Sequence, residues 1–264
     1  MSPKPIYRPE SLEGAAFQLR YTWTGWPSDG HFPARPPAEM FETLTDRWET
    51  DGIRLLERDW SSERVQLTVS VDPEVAPTRF TARMKGRLQH ALRQHQAHAS
   101  FSRKVSMGSV GDTCREDVER YLARQVAEAR FVDSSFAELL ERYSTFDRAT
   151  DLSEPVATKS GRYVYNLHLV LVARESHCFA DEEQLERLYE QGLAVAEVKE
   201  HRLAALSVMP DHVHLALGGD IRKTPEEMAL CYMNNLAWAV GQKEIWRPSY
   251  YAGTFGEYDM WAVR

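Results

Sequence analysis

Val208-Met-Pro-Asp-His-Val-His-Leu-Ala-Leu-Gly-Gly219 is the stretch on which the reading of this chain turns. Leu206 and Val208 lead into it, and Val213, Leu215 and Leu217 run out of it. That alternation predicts a half-buried strand, entered after Pro210 and ended by Gly218-Gly219. Side chains two apart on a strand share a face, so His212 and His214 point one way and Val213 the other. Two imidazoles side by side on a rigid element can hold a divalent metal. An isolated His-x-His is more often an ordinary surface pair, so its surroundings decide.

The 264 residues suffice for one large or two small domains, and 43% hydrophobic content is ordinary for a soluble globular protein. No apolar run approaches a membrane span, and the start, Met1-Ser-Pro-Lys-Pro-Ile-Tyr-Arg-Pro9, lacks the apolar core of a signal peptide. Cys114, Cys178 and Cys231 are far apart and form no CxxC pair. They argue against a disulfide framework or a zinc finger, and a cytoplasmic location is the expectation. The net charge of −7 argues mildly against a nucleic-acid partner. Yet from Arg79 to Lys104 there are seven basic residues (Arg79, Arg83, Lys85, Arg87, Arg93, Arg103, Lys104) and no acidic ones, with His90, His95 and His98 among them. Such a strip is either a solvated helix face or a track for a phosphate backbone.

Working outward, an internal repeat emerges. Phe17-Gln-Leu-Arg-Tyr-Thr-Trp23 and Tyr165-Asn-Leu-His-Leu-Val-Leu171 are both alternating strands, 148 positions apart. The same offset lays Leu55 on Leu203, Val65 on Val213 and Leu67 on Leu215, so Arg64 and Gln66 stand where the second copy has its histidines. Phe101-Ser-Arg-Lys-Val-Ser-Met-Gly-Ser-Val-Gly111 resembles Trp246-Arg-Pro-Ser-Tyr-Tyr-Ala-Gly-Thr-Phe-Gly256 at offset 145, each closed by G-x-x-G. Three blocks in one order at nearly one offset point to duplication.

The first unit reads as a strand at 16–23, a helix at 39–49, an antiparallel pair of strands at 53–59 and 65–71, and a helix from Thr78 to His95. Thr113-Cys-Arg-Glu116 predicts a capping box opening a helix from Cys114 to Phe131, with Val118, Leu122 and Val126 as its apolar stripe. A helix from Phe136 to Tyr143 leads into a polar linker. The second unit repeats the plan: strand 163–173, helix 181–194, strands 201–208 and 212–217, helix 225–241. The division is 1–144, linker 145–161, and 162–264. On the capped helix, Tyr121 and Gln125 lie four apart and share a face beside the stripe. On its own such a pair is usually half-buried packing.

Taken together, Met-Pro-Asp-His-Val-His-Leu, the helix after it, the G-x-x-G segment and a helix with Tyr-x-x-x-Gln resemble the single-tyrosine HUH transposases of small bacterial insertion sequences. The resemblance extends to their domesticated REP-associated relatives. It implies an α+β fold of two tandem ferredoxin-like units, each an antiparallel sheet with helices on one face, forming an intramolecular pseudo-dimer. It implies a divalent metal, Mg2+ or Mn2+, on His212, His214 and Gln125, with Tyr121 as the nucleophile that forms a 5′-phosphotyrosine. The implied partner is single-stranded DNA beside a hairpin. Asp211 would fix a histidine tautomer. Arg79, Arg83, Lys85, Arg87, Arg103, Lys104 and Arg247 would contact DNA. Trp246, Tyr250 and Tyr251 would either stack unpaired bases or pack in the core.

The departures from the family pattern are informative. The first half keeps the tyrosine helix without the histidines, and the second keeps the histidines without that helix. Tyr121 follows Gly111 by ten residues, and the equivalent position after Gly256 would be 266, beyond Arg264. The expectation is a monomer with one composite site out of two. Two other readings stand beside it: a non-catalytic binder of DNA hairpins, and a metal-dependent hydrolase of small phosphoesters.

Overall fold

A computed structural model describes residues 4–37, 39–97, 99–129, 134–175, 177–179 and 181–256. His98 and Phe131 lie outside them. In chain order the elements are β1 (Gly14–Gln18), β2 (Arg20–Pro27), α1 (Met40–Thr50), β3 (Ile53–Trp60), β4 (Val65–Val71), α2 (Pro77–Gln94) and β5 (Phe101–Val110). Then come α3 (Arg115–Ala129), α4 (Ser134–Arg142), β6 (Ser144–Phe146), β7 (Val156–Ala157), β8 (Gly161–Val164), β9 (Asn166–Val172), α5 (Glu182–Val198), β10 (Arg202–Val208), β11 (His212–Gly218), α6 (Pro225–Ala239) and β12 (Ser249–Thr254).

Two similar α+β units result. In the first, β2, α1, β3, β4, α2 and β5 follow one another, and the strands lie side by side as β3-β4-β2-β5, each antiparallel to its neighbour. In the second, β9, α5, β10, β11, α6 and β12 follow the same plan in the order β10-β11-β9-β12. The duplication extends to irregular features. The ladder slips between Leu55 and Glu57 in one copy and between Leu203 and Ala205 in the other, a bulge at equivalent places. Pro77 and Pro225, which occupy the first position of their helices where a missing N–H costs nothing, are also equivalent.

Several expectations need correction. The strands read as 16–23 and 163–173 are each two strands, broken at one residue, Leu19 and Tyr165. After the break the chain changes sheets: β1 pairs parallel with β12 of the second unit, and β8 pairs parallel with β5 of the first. Each sheet is therefore mixed rather than purely antiparallel, and each contains a strand of the other half. Matching bonds hold both crossings. Val71 N donates to the Leu19 carbonyl at 3.0 Å, and Gly219 N donates to that of Tyr165 at 2.8 Å. Arg20 N donates to Thr254 Oγ1 at 2.8 Å, and Asn166 N donates to Ser109 Oγ at 2.9 Å. The G-x-x-G segments end here, and a Cβ on Gly111 would run into the Thr254 carbonyl.

The segment read as a linker carries β7 and most of β6, which extend opposite sheets. The helices also do not keep to one face of the second sheet. Leu206, paired with Leu215, packs against Gly192 of α5. On the opposite face Val118 and Leu122 of α3 pack with Leu152, Ala204, Ala205, Ala216 and Phe255. β11 is consequently buried on both faces, whereas β4 alternates buried and half-buried residues. The equivalents of Ala204, Ala205 and Ala216 are Leu56, Glu57 and Thr68, larger side chains on the open sheet. Finally, the helix cap sits one residue further on: Cys114 N donates to Asp117 Oδ2 at 3.2 Å, so Asp117 rather than Glu116 reaches back.

Candidate active site

α3 carries two side chains of the first half over the strand that bears the histidines of the second. Gln125 Nε2 donates to the Tyr121 hydroxyl at 2.8 Å. Its carbonyl oxygen turns the other way and lies 3.4 Å from His212 Nε2. The His214 ring meets that of Tyr121 edge-on, with centroids 5.8 Å apart, and that of His212 at 4.5 Å. These residues line a cleft of about 630 Å³ together with Gln18, Thr113, Asp117, His168, Asp211 and Tyr251. Tyr121 is 50% exposed, so a polymer lying across the cleft can reach its hydroxyl. A neighbouring hollow of about 680 Å³, lined by Arg115, Glu116, Glu119, Arg120, Phe146 and Arg148, contains none of the histidines.

The imidazoles are held in distinct ways. Asp211 Oδ1 lies 2.6 Å from His212 Nδ1. A carboxylate only accepts, so Nδ1 carries the proton and a neutral His212 leaves Nε2 as a lone pair. His214 is 2% exposed, and its Nε2 is buried without a hydrogen-bond partner. Burial, and then the nearness of His168 and His212, pushes the His214 pKa far below the usual histidine value. Burial pushes that of His168 down to about 4. Both rings are therefore neutral near pH 7, with lone pairs free to accept or ligate.

The comparison with known families falls on this half of the chain. Residues 162–264 match the IS200-like transposase family. The match covers less than half of the sequence. It includes His212 and His214 and leaves out Tyr121 and Gln125, which the fold delivers from outside the matched range. The chain matches no curated protein sequence. No helix among the described residues is long and apolar enough to cross a membrane.

Outside the cleft the other sequence candidates separate. Trp246 is fully buried in the transposase-like half, packs edge-on against Phe179 and donates its indole N–H to the Met233 carbonyl. Tyr250 is 3% exposed. Neither ring can stack a base, because each fills the core beneath its sheet. Tyr251, next along the strand, faces the opposite way and forms part of the cleft wall. Arg83 and Arg87 both engage Asp51, at 3.5 and 2.5 Å, which neutralises part of the basic strip. Lys85 donates to the Arg103 carbonyl at 3.0 Å, and Arg247 pairs with Glu175 at 3.4 Å. Arg79, Arg103 and Lys104 are exposed. In the first unit Arg64 is tied to Asp59 at 3.4 Å. The sequence reading overlooked His168. Its place on an alternating strand was visible, but its neighbour in space was not.

Among the described residues no group of three or more His, Cys, Asp and Glu side chains is placed to hold a metal. The candidate set is of another composition, two imidazoles and an amide. Two features fit a divalent cation. His214 Nε2 is buried and orphaned. In the neutral form His212 Nε2 and Gln125 Oε1 are two acceptors facing each other at 3.4 Å. Neighbouring ligands of an octahedral Mg2+ stand about 3 Å apart, given bonds of about 2.1 Å.

Proposed function

We propose that this chain is an internally duplicated relative of the single-tyrosine HUH transposases and that it cuts and rejoins single-stranded DNA at one composite site. The observation that carries the reading is the placement of Gln125 between Tyr121 and His212, its Nε2 2.8 Å from the Tyr121 hydroxyl and its Oε1 3.4 Å from His212 Nε2, which brings a helix of one half onto the histidine strand of the other. The strand orders and the βαββαβ succession of both units support a ferredoxin-like fold. The exchanged strands support a pseudo-dimer within one chain.

His212 Nε2, His214 Nε2 and Gln125 Oε1 would hold a divalent metal, Mg2+ or Mn2+, and that metal would polarise the scissile phosphate. Tyr121 attacks the phosphorus. The new bond joins the phenolic oxygen to the 5′-phosphate, the bond to the 3′-oxygen breaks, and that oxygen leaves with a proton as a free 3′-hydroxyl. The amide N–H of Gln125 orients the phenolic oxygen and stabilises its negative charge. Because the phosphotyrosine keeps the energy of the broken linkage, a returning 3′-hydroxyl reseals the strand without ATP. Asp211 holds His212 by Nδ1 so that Nε2 faces the site. Arg103 and Lys104 on β5 are the exposed cations best suited to steer a phosphate backbone, with Arg79 in support. A hairpin beside the cut is the expected DNA form.

The test is a denaturing gel of full-length protein incubated with single-stranded oligonucleotides carrying hairpins and Mn2+. A covalent protein–DNA band is expected, absent from Tyr121→Phe and abolished by chelation. A band of equal strength in Tyr121→Phe would remove the nucleophile assignment. Hairpin binding with no band under any metal would favour a non-catalytic binder.

A further inference from the structure

β9 brings a third imidazole into the cleft. His168 stands opposite Ala216 in the strand register, and its ring stacks on that of His214 with centroids 5.2 Å and planes 21° apart. His168 Nε2 and His214 Nδ1 share a hydrogen bond of 3.0 Å. Between two neutral imidazoles one nitrogen donates and the other accepts, so the tautomers of the rings are coupled. If His168 donated, His214 would carry its proton on Nε2, and that buried nitrogen would be a donor with no acceptor. Buried N–H groups are orphaned more rarely than acceptors are left under-used. The opposite arrangement leaves His214 Nε2 as a lone pair.

We infer that His168 is a positioning residue: by accepting a hydrogen bond from His214 Nδ1, it holds His214 in the tautomer whose Nε2 can bind a metal. The inference rests on the metal-site reading above. His168 does for His214 what Asp211 does for His212, since in both pairs the partner occupies Nδ1 and leaves Nε2. Its own ring is held from two sides. Tyr251 stands edge-on to it with centroids 5.9 Å apart. Gly253, opposite His168 in the register, supplies the room for the Tyr251 ring. A neutral acceptor at this position, unlike a carboxylate, adds no charge behind a site meant for a phosphate.

Two measurements on the full chain test this. In metal-free protein, long-range 15N–1H spectra of the imidazoles are expected to show His214 and His168 each protonated at Nδ1. In Mn2+ titrations followed by calorimetry, His168→Leu is expected to weaken binding about 10- to 100-fold, the usual effect of losing such a supporting bond. His168→Gln, whose carbonyl can accept the same bond, is expected to retain the wild-type affinity. Thermal melts establish that the variants fold. Should His168→Leu not fold, the wild-type spectrum and the Gln variant carry the test. A wild-type His214 protonated at Nε2, or undiminished Mn2+ affinity in a folded His168→Leu, would overturn the inference. A wild type that binds no Mn2+ would instead overturn the metal site itself, and the tautomer spectrum distinguishes the two failures.

Discussion

Leu122→Ala should detach the tyrosine helix while leaving every residue of the candidate chemistry in place. α3 reaches the histidine strand through a small cluster in which Val118 and Leu122 are its buried contributors, and Leu122 is fully buried. Truncating a buried leucine to alanine costs about 2–5 kcal/mol. The Ala204, Ala205 and Ala216 surface beneath it is flat and cannot collapse into the gap, which places the value near about 3 kcal/mol. Because about 1.4 kcal/mol is tenfold in an equilibrium constant, docking of α3 should weaken by roughly a hundredfold. The cost should fall on this docking more than on global folding, since the main core of both units lies elsewhere. Hydrogen exchange of the α3 amides, compared with those of β4 and β11, reads the effect directly, and adduct yield should fall with α3 protection. Leu88→Ala, a fully buried position in the first unit's core, is the control. It should lower global stability by a similar amount without exposing α3 selectively. If Leu122→Ala leaves α3 as protected as β11 and adduct yield intact, the cluster is not what holds the composite site together.

Mixing Tyr121→Phe with His214→Ala protein should restore no adduct, because each chain supplies both halves of its own site; recovery near a quarter of wild type would mean that helices are shared between chains. His168 and His214 have folded-state pKa values depressed below the usual 6.5, so the unfolded chain binds more protons between about pH 4 and 6.5. Stability of the metal-free protein is therefore fully present above about pH 6.5 and declines as pH falls towards 4. Urea midpoints should drop over that window, and a His168→Gln, His214→Gln double variant should flatten the drop. Gly111→Ala forces a Cβ against the Thr254 carbonyl at the crossing and should cost about 1–3 kcal/mol as overpacking. Gly86→Ala, on an open helix surface, should instead stabilise by up to about 1 kcal/mol, and equal effects at both positions in chemical denaturation would contradict the crossing geometry.

The sequence by itself determined the repeat, most elements and the residues of the candidate chemistry, because these are written in local pattern. Alternation at 65–71 and 212–217 marked strands, and the 3.6-residue spacing of Val118, Leu122 and Val126 marked the face by which α3 docks. Only the tertiary structure decided which sheet each strand joins. The breaks at Leu19 and Tyr165 are single buried residues inside continuous alternation, and nothing local distinguishes them from strand interior. The fate of the aromatics was equally non-local: Tyr250 and Tyr251 are neighbours with the same chemistry, and the pleat sends one into the core and the other into the cleft. His168 became legible as a partner of His214 only once β9 lay beside β11. Hydrogen bonding between strands relates residues 46 positions apart, and no window along the chain spans that distance.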